Sequence, residues 1–287
     1  VPAIDIQDLH YAYPPLEGGE REWVLRGVSL AVDAGACLGV MGPTGAGKST
    51  LSLAMMGIVP RLTGGTIRGK VRVLGEDVRS VPVPDMARSV GIVFQETGTQ
   101  LFSLTVEEEV AFGLENMGLP SQAITERVAW ALETVGLEGD GHRAPVELSG
   151  GEQQRLAIAA TLAMSPEVLI LDEPTAHLDP RGKREIQSLI ESLARQSGRT
   201  VVVVEQDVDW LAELVDRVVV LADGQIAMDG TPEDVLGSPE PLLELGVAPP
   251  QLSELAAGLT RDAGSPFAFI RMDQAERQLK EDLGGGA

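Results

Sequence analysis

A single cysteine stands among 287 residues. Cys37 alone cannot close an intrachain disulfide, and its place in the apolar run Cys37-Leu38-Gly39-Val40-Met41 suits a small buried thiol. Basic residues are scarce too: 22 Lys and Arg face 43 Asp and Glu, a formal charge of −21. Nucleic acids are held largely by clustered Lys and Arg that neutralise phosphates, so this balance argues against such a partner. No apolar run approaches the roughly 18 residues that span a bilayer, and no charged-then-apolar signal segment opens the chain, so a cytosolic protein is expected. Internal repeats are missing, which excludes a solenoid or a second copy of a nucleotide domain. At 44% hydrophobic composition the chain can still bury a full core, as one large domain or two smaller ones.

What is present is organised around Gly42-Pro43-Thr44-Gly45-Ala46-Gly47-Lys48-Ser49-Thr50. Glycine, four residues, then Gly-Lys-Ser lets the backbone turn so that successive amide N–H groups point inward at a polyphosphate. Lys48 adds a point charge for the β- and γ-phosphates, and Ser49 a hydroxyl for Mg²⁺, which favours hard oxygen ligands. The apolar run before this loop and the helix-compatible residues 51–56 after it form a strand-loop-helix unit, whose helix N-terminus favours bound negative charge. The motif specifies a nucleotide binder and leaves the reaction open.

Residues 4–13 alternate as a strand ending in Tyr11-Ala12-Tyr13-Pro14-Pro15, residues 16–22 are loop chemistry, and 23–32 alternate again. An N-terminal β layer thus precedes the phosphate loop. Tyr13 fits two roles, stacking on a nucleobase or packing at the edge of the core. Residues 64–73 read as turn and strand, and 90–94 as a short strand ending at Gln95. The Gln95 amide suits a metal or an attacking water as readily as open solvent. Residues 106–114 and 121–137 turn helical, with Ser121 as a cap. Leu148-Ser149-Gly150-Gly151-Glu152-Gln153-Gln154-Arg155 opens another helix, and its Ser-Gly-Gly start is either a second anion site or an ordinary cap through Ser149.

Val168-Leu169-Ile170-Leu171-Asp172-Glu173-Pro174 is a buried strand that delivers two carboxylates to its carboxyl end, where open parallel α/β sheets place ligands. Asp172 suits Mg²⁺ through water, and Glu173 suits orienting or deprotonating a water that attacks a γ-phosphate. Residues 200–204 form a further buried strand ending in Glu205-Gln206-Asp207, and 217–221 with 225–228 form a terminal strand pair. Short helices are expected at 242–245 and 252–259, an amphipathic helix at 272–283, and disorder at Gly284-Gly285-Gly286.

In this order, the phosphate loop, Gln95, residues 148–155, Leu171-Asp172-Glu173-Pro174 and Leu178-Asp179 resemble the ATP-binding subunits of ABC transporters over residues 4–235. The resemblance implies an α/β fold: a P-loop NTPase core of ABC ATPase type in residues 1–235, with an N-terminal antiparallel β layer and a helical subdomain inserted at about 97–163, then a C-terminal helical extension at 236–287. It implies Mg-ATP clamped between two head-to-tail subunits, Gly42 to Thr50 of one facing Ser149, Gly150, Gly151 and Glu152 of the other. It assigns Tyr13 to the adenine, Ser49 and Asp172 to magnesium, Glu173 to catalysis, Gln95 to magnesium and transmembrane coupling, and Asp179 to communication across the dimer. Residues 94–102 followed by Thr105-Val106-Glu107-Glu108-Glu109-Val110-Ala111-Phe112-Gly113 look like the energy-coupling-factor branch, whose ATPases drive uptake of vitamins or of cobalt and nickel ions. Residues 242–250 resemble that branch's tail, which helps join the two ATPases. The partners implied are a second ATPase subunit, identical or paralogous, a transmembrane coupling subunit and a solute-binding membrane subunit, with the chain peripheral on the cytoplasmic face.

One position departs from the family pattern. Where a histidine usually contacts the γ-phosphate and helps position the water and the catalytic glutamate, after the strand that follows Leu178-Asp179, this chain has Gln206. An amide still donates to a phosphate oxygen but does not become a cation near neutral pH. Losing one preorganised donor costs about 10²- to 10³-fold in rate, and a working but slower site is expected. His177 borders Leu178-Asp179 as a surface or interface residue, with an approach to the partner's nucleotide as the alternative. The reading is an ATPase subunit of an energy-coupling-factor-type importer in which Lys48, Glu173 and Gln206 carry the chemistry. The alternatives are an ATP-dependent binding switch with a slow site of its own, and a non-transport ABC ATPase acting on DNA. The long coiled coils of the latter have no heptad counterpart here.

Overall fold

The computed structural model describes residues 1–15, 19–196, 198–263 and 266–284. Strand β1 (Ile4–Ala12) pairs antiparallel with β2 (Leu25–Val32), each burying alternate side chains. Strand β3 (Cys37–Met41) is buried at every position, as a parallel strand covered on both faces must be, and leads into α1 (Lys48–Met55). Strands β4 (Thr66–Val73) and β5 (Glu76–Asp77) complete a four-stranded antiparallel sheet in the order β2-β1-β4-β5. A short α2 (Val83–Met86) then precedes β6 (Val90–Val93).

Before the next core strand the chain builds a helical layer from α3 (Val106–Asn116), α4 (Ser121–Thr134) and α5 (Gly150–Ala163). Thr105 and Glu108 start α3 as a reciprocal capping box. Ser121 does not cap α4 as expected. Pro120 holds that position without a side-chain bond, and Ser121 is the first helical residue, because the fixed φ of proline already steers the chain into the turn. Helix α5 packs on both α3 and α4, and its small Ala157, Ala159 and Ala163 permit that close approach.

There follow β7 (Val168–Asp172), α6 (Pro180–Gln196), β8 (Thr200–Val204), α7 (Val208–Leu214), β9 (Arg217–Ala222) and β10 (Gln225–Gly230). The second sheet has the order β10-β9-β3-β8-β7-β6 and is parallel except for the β9–β10 hairpin. The β-branched residues of β7 and β8 fill both faces, which are buried throughout. One core lies between the two sheets and α1, and the other lies between the parallel sheet and the helices. Cys37 is buried in the latter, and burial with nearby Asp216 pushes its thiol up to about 12, so it stays a packing residue.

The chain closes with α8 (Pro232–Leu236), α9 (Pro239–Glu244), α10 (Gln251–Ala263) and α11 (Met272–Gly284). Helix α9 begins earlier than expected because Pro239 occupies its first turn, where a missing N–H costs nothing. Gly284, expected to be disordered, ends α11, while Gly285, Gly286 and loop residues 16–18 lie outside the described residues. No described helix is long and apolar enough to cross a membrane.

Candidate functional site

Strands β3, β8, β7 and β6 are parallel neighbours, so the segments leaving their carboxyl ends share one edge of the sheet. Those segments are the phosphate loop, Glu205-Gln206, Asp172-Glu173 and Gln95.

The loop needs glycine for steric reasons. A Cβ on Gly42 (φ 148°) would strike the carbonyl oxygen of Leu221 in β9. One on Gly47, left-handed at φ 101° and the cap of α1, would come within 2.9 Å of Leu25 Cδ2. Lys48, only 6% exposed, turns its ammonium back over the loop, donating to the carbonyls of Gly42 (2.9 Å) and Pro43 (3.1 Å). Burial lowers its pKa, against the pull of Glu173 and Asp172. Beside the loop, the exposed Tyr13 ring meets Tyr11 edge-on at 4.9 Å and its hydroxyl lies 3.2 Å from Thr50 Oγ1. Of the two roles open to Tyr13, a free face next to the loop keeps base stacking available.

Asp172, 4% exposed, has its pKa raised by burial and by Glu173, offset by the Ser49 hydroxyl and Lys48. Its Oδ1 is buried with no hydrogen-bond partner. An orphaned carboxylate oxygen beside a serine hydroxyl is a hard-oxygen donor set, so the residues present fit a magnesium ion. Glu173 follows with φ 49°, a strained backbone for a side chain of its size. Its carboxylate is held from both sides: Gln95 Nε2 donates to Oε2 at 2.7 Å and Gln206 Nε2 to Oε1 at 2.8 Å. The family resemblance gives this position a γ-phosphate contact and a part in positioning the catalytic glutamate, and the structure makes Glu173 the direct partner of the Gln206 amide. Lys48, Ser49, Gln95, Glu173 and Gln206 all line one cavity of about 360 Å³ with Thr44, Gly45, Gly47 and Thr50.

Sequence reasoning missed two contributors. Val24 lines the same cavity from the start of the second strand segment. Glu205, 4% exposed, accepts from Thr175 Oγ1 (2.7 Å), Gln206 N (2.8 Å) and Asp207 N (3.3 Å), tying the turn after β7 to the turn after β8. A carboxylate directly after four consecutive valines of a buried strand was the available signal, since buried charge demands several donors.

Ser149, Gly150, Gly151, Glu152 and Asp179 lie elsewhere, with His177, Arg181 and Gly182, around a separate cavity of about 490 Å³ that shares no lining residue with the first. Ser149 caps α5: its hydroxyl accepts from Glu152 N at 3.4 Å, and Glu152 Oε2 accepts from Ser149 N at 2.7 Å. Those bonds and Arg143 hold the Glu152 pKa below the usual carboxylate range, so this side chain serves the loop itself. Asp179 accepts from Gly182 N at 2.7 Å and so opens α6 beside Gly151.

A family model described as ABC transporter matches residues 25–176. Over 266 residues the chain is 38% identical to the energy-coupling factor transporter ATP-binding protein EcfA of Methanocaldococcus jannaschii, spanning 93% of this chain and 92% of that one. Among solved structures it is similar to cbiO1 from Clostridium perfringens, part of the ABC transporter complex cbiONQ, with a TM-score of 0.73 and 32% identity over 88% of this chain and 98% of that one. An ATP-binding cassette solved as a dimer in a post-hydrolysis state bound to ADP and Pi gives a TM-score of 0.70 and 27% identity over 79% and 98%.

Proposed function

The chain belongs to the ABC transporter ATP-binding family, and from that premise we propose that it is the ATP-hydrolysing subunit of an energy-coupling-factor-type importer of a vitamin or a transition-metal ion. Likeness to EcfA and to cbiO1 along nearly their whole lengths supports the branch. The observation that carries the chemistry is the Glu173 carboxylate fixed between two amides at the mouth of the phosphate loop.

In this reading the loop amides and Lys48 hold the β- and γ-phosphates of ATP. Ser49 and Asp172 would hold magnesium, which when bound neutralises charge on the phosphate oxygens. Glu173 accepts a hydrogen bond from water, aims its lone pair at the γ-phosphorus and takes its proton as the bond to the ADP oxygen breaks. Gln95 and Gln206 keep that carboxylate aimed, a positioning role whose value lies in avoided reorganisation. Tyr13 stacks on the adenine. The separate Ser149 cavity, with Asp179 at its rim, closes over the nucleotide of a second, head-to-tail ATPase subunit.

A third cavity of about 600 Å³ between β6, α3 and α5 suits a transmembrane partner at the cytoplasmic face of a membrane. It carries the exposed Phe102 and Phe112, in edge-on contact at 4.7 Å, a large apolar pair left facing outward. Its wall includes Gln100, five residues beyond Gln95, so an occupant lies next to the segment that aims Glu173.

Steady-state Mg-ATPase of the complex tests the assignment with Glu173→Gln, Gln206→Ala and Gln206→His. Loss of about 10²-fold or more in the first two, with turnover kept in the third, is the expected result. Turnover indifferent to all three changes would mean that this chain's own site is silent and that it only completes its partner's.

A further inference from the structure

Gln206, whose side chain donates to Glu173 and whose N–H is held by Glu205, directly precedes Asp207, the cap of α7. Asp207 accepts from Trp210 N at 3.2 Å, and the start of α7 thus adjoins the segment that aims Glu173. With seven residues α7 is too short to be placed by its own helical stability. On one side α6 holds it, through Lys183 to Asp207 at 2.6 Å and Trp210 Nε1 to Glu191 at 3.2 Å.

On the other side the C-terminal extension holds both of its ends. At the start, the backbone N–H of Gln251, first residue of α10, donates to Asp209 Oδ1 at 3.1 Å. At the finish, Arg271 Nε donates to the carbonyl of Ala212 at 2.7 Å, in the last turn, where carbonyls have no partner within the helix. The Arg271 guanidinium also meets Glu233 of α8 at 3.2 Å, and Gln274 donates to the same carboxylate at 2.9 Å. Neighbouring Ile270, 3% exposed, enters the core that holds Leu211. By contrast, Arg277–Asp273 and Lys280–Glu276 are exposed pairs within α11 alone.

We propose that the C-terminal extension braces α7, with Arg271 as a positioning residue for the reaction that acts through α7 and Gln206 on the orientation of Glu173. The inference rests on the ATPase reading above. Through this link, whatever moves the extension changes turnover without touching nucleotide.

The test is made on the full chain within its assembled complex: wild type, Arg271→Ala, Arg271→Lys, Gln251→Pro and Lys280→Ala, each followed by amide hydrogen exchange of residues 205–214 and by kcat and KM for Mg-ATP. Proline is tolerated at the first position of a helix, so Gln251→Pro removes only the donor to Asp209 and stands in if Arg271→Ala fails to fold. Arg271→Ala is expected to speed exchange in α7 about tenfold or more and to lower kcat about three- to tenfold with KM within about twofold. Arg271→Lys should recover part of both, Gln251→Pro should show the same pattern more weakly, and Lys280→Ala should change neither. Unchanged exchange in α7 overturns the brace, as does faster exchange with unchanged kcat, which would leave Arg271 merely structural. A wild type without turnover would instead sink the ATPase reading, and exchange alone would then decide the brace: faster α7 exchange in Arg271→Ala but not in Lys280→Ala sustains it.

Discussion

At the phosphate loop, Lys48 and Asp172 are nearly sealed from water, burial drives the pKa of each toward the neutral form, and Asp172 Oδ1 has no partner. At the Ser149 cavity the carboxylates are instead paired within the chain. Glu152 is drawn down by the Ser149 N–H and hydroxyl, Arg155 and Arg181 share Glu185, and Asp179 has its own N–H donor. The first site keeps buried charge of both signs, with Lys48 held only by neutral carbonyls and one Asp172 oxygen without a partner, which a phosphate-metal pair would complete. The second is a surface whose carboxylates already have partners, Arg155 Nε alone among its described lining atoms being buried without one, and it suits being lent to another molecule. Two motifs that read alike as anion sites in sequence are thus unlike in electrostatics.

The sharpest way to break this comparison is complementation. Lys48→Ala and Ser149→Arg are each expected to cost about 10²-fold or more in turnover when present in every copy. Mixed in equal amounts, they should regain up to about a quarter of wild-type activity, because each mixed pair of identical chains keeps one whole site. No recovery in ATPase assays would mean that the two pockets do not meet across such a pair.

A smaller effect sharpens the electrostatic side. Because the folded-state pKa of Asp172 is raised above its ordinary value of 3.8, its ionised form costs stability, absent below that value and growing as pH rises toward the folded pKa. Asp172→Asn removes the cost, so the nucleotide-free chain should melt about 2–4 °C higher at neutral pH, with the gain gone near about pH 3. An equal gain at both pH values would assign the effect to packing. The same variant should bind Mg-ATP more weakly.

Smallest is Tyr13. Tyr13→Phe loses only the contact with Thr50 and should leave KM for ATP within about twofold, whereas Tyr13→Ala should raise it about three- to tenfold. Equal KM in the two variants would remove the ring from the adenine site.

Much of the fold was legible because its signals are local. The runs at β7 and β8 are apolar at nearly every position, a pattern that a two-faced parallel strand requires, and the turn chemistry of the phosphate loop is spelled within nine residues. Helix starts were less legible: Ser121 looked like a cap until Pro120 took that place. Glu205 was passed over because its three donors come from turns after two different strands, 30 residues apart in the case of Thr175. The comparison with the family's histidine pointed Gln206 toward the γ-phosphate, the water and the catalytic glutamate, but the direct amide bond to Glu173 Oε1 depends on the adjacency of β7 and β8.

By itself the sequence determined the α/β class, the loop that must be glycine-rich and the strand that carries Asp172 and Glu173, because backbone sterics and burial act within a few residues of each other. Only the tertiary structure decided that Gln95 and Gln206 converge on one carboxylate, that the Ser149 segment opens onto a pocket of its own, and that the C-terminal extension grips α7. Those outcomes depend on sheet order. Strands β6, β7 and β8 are separated by dozens of residues along the chain, and it is their adjacency in space that turns three separate side chains into one arrangement.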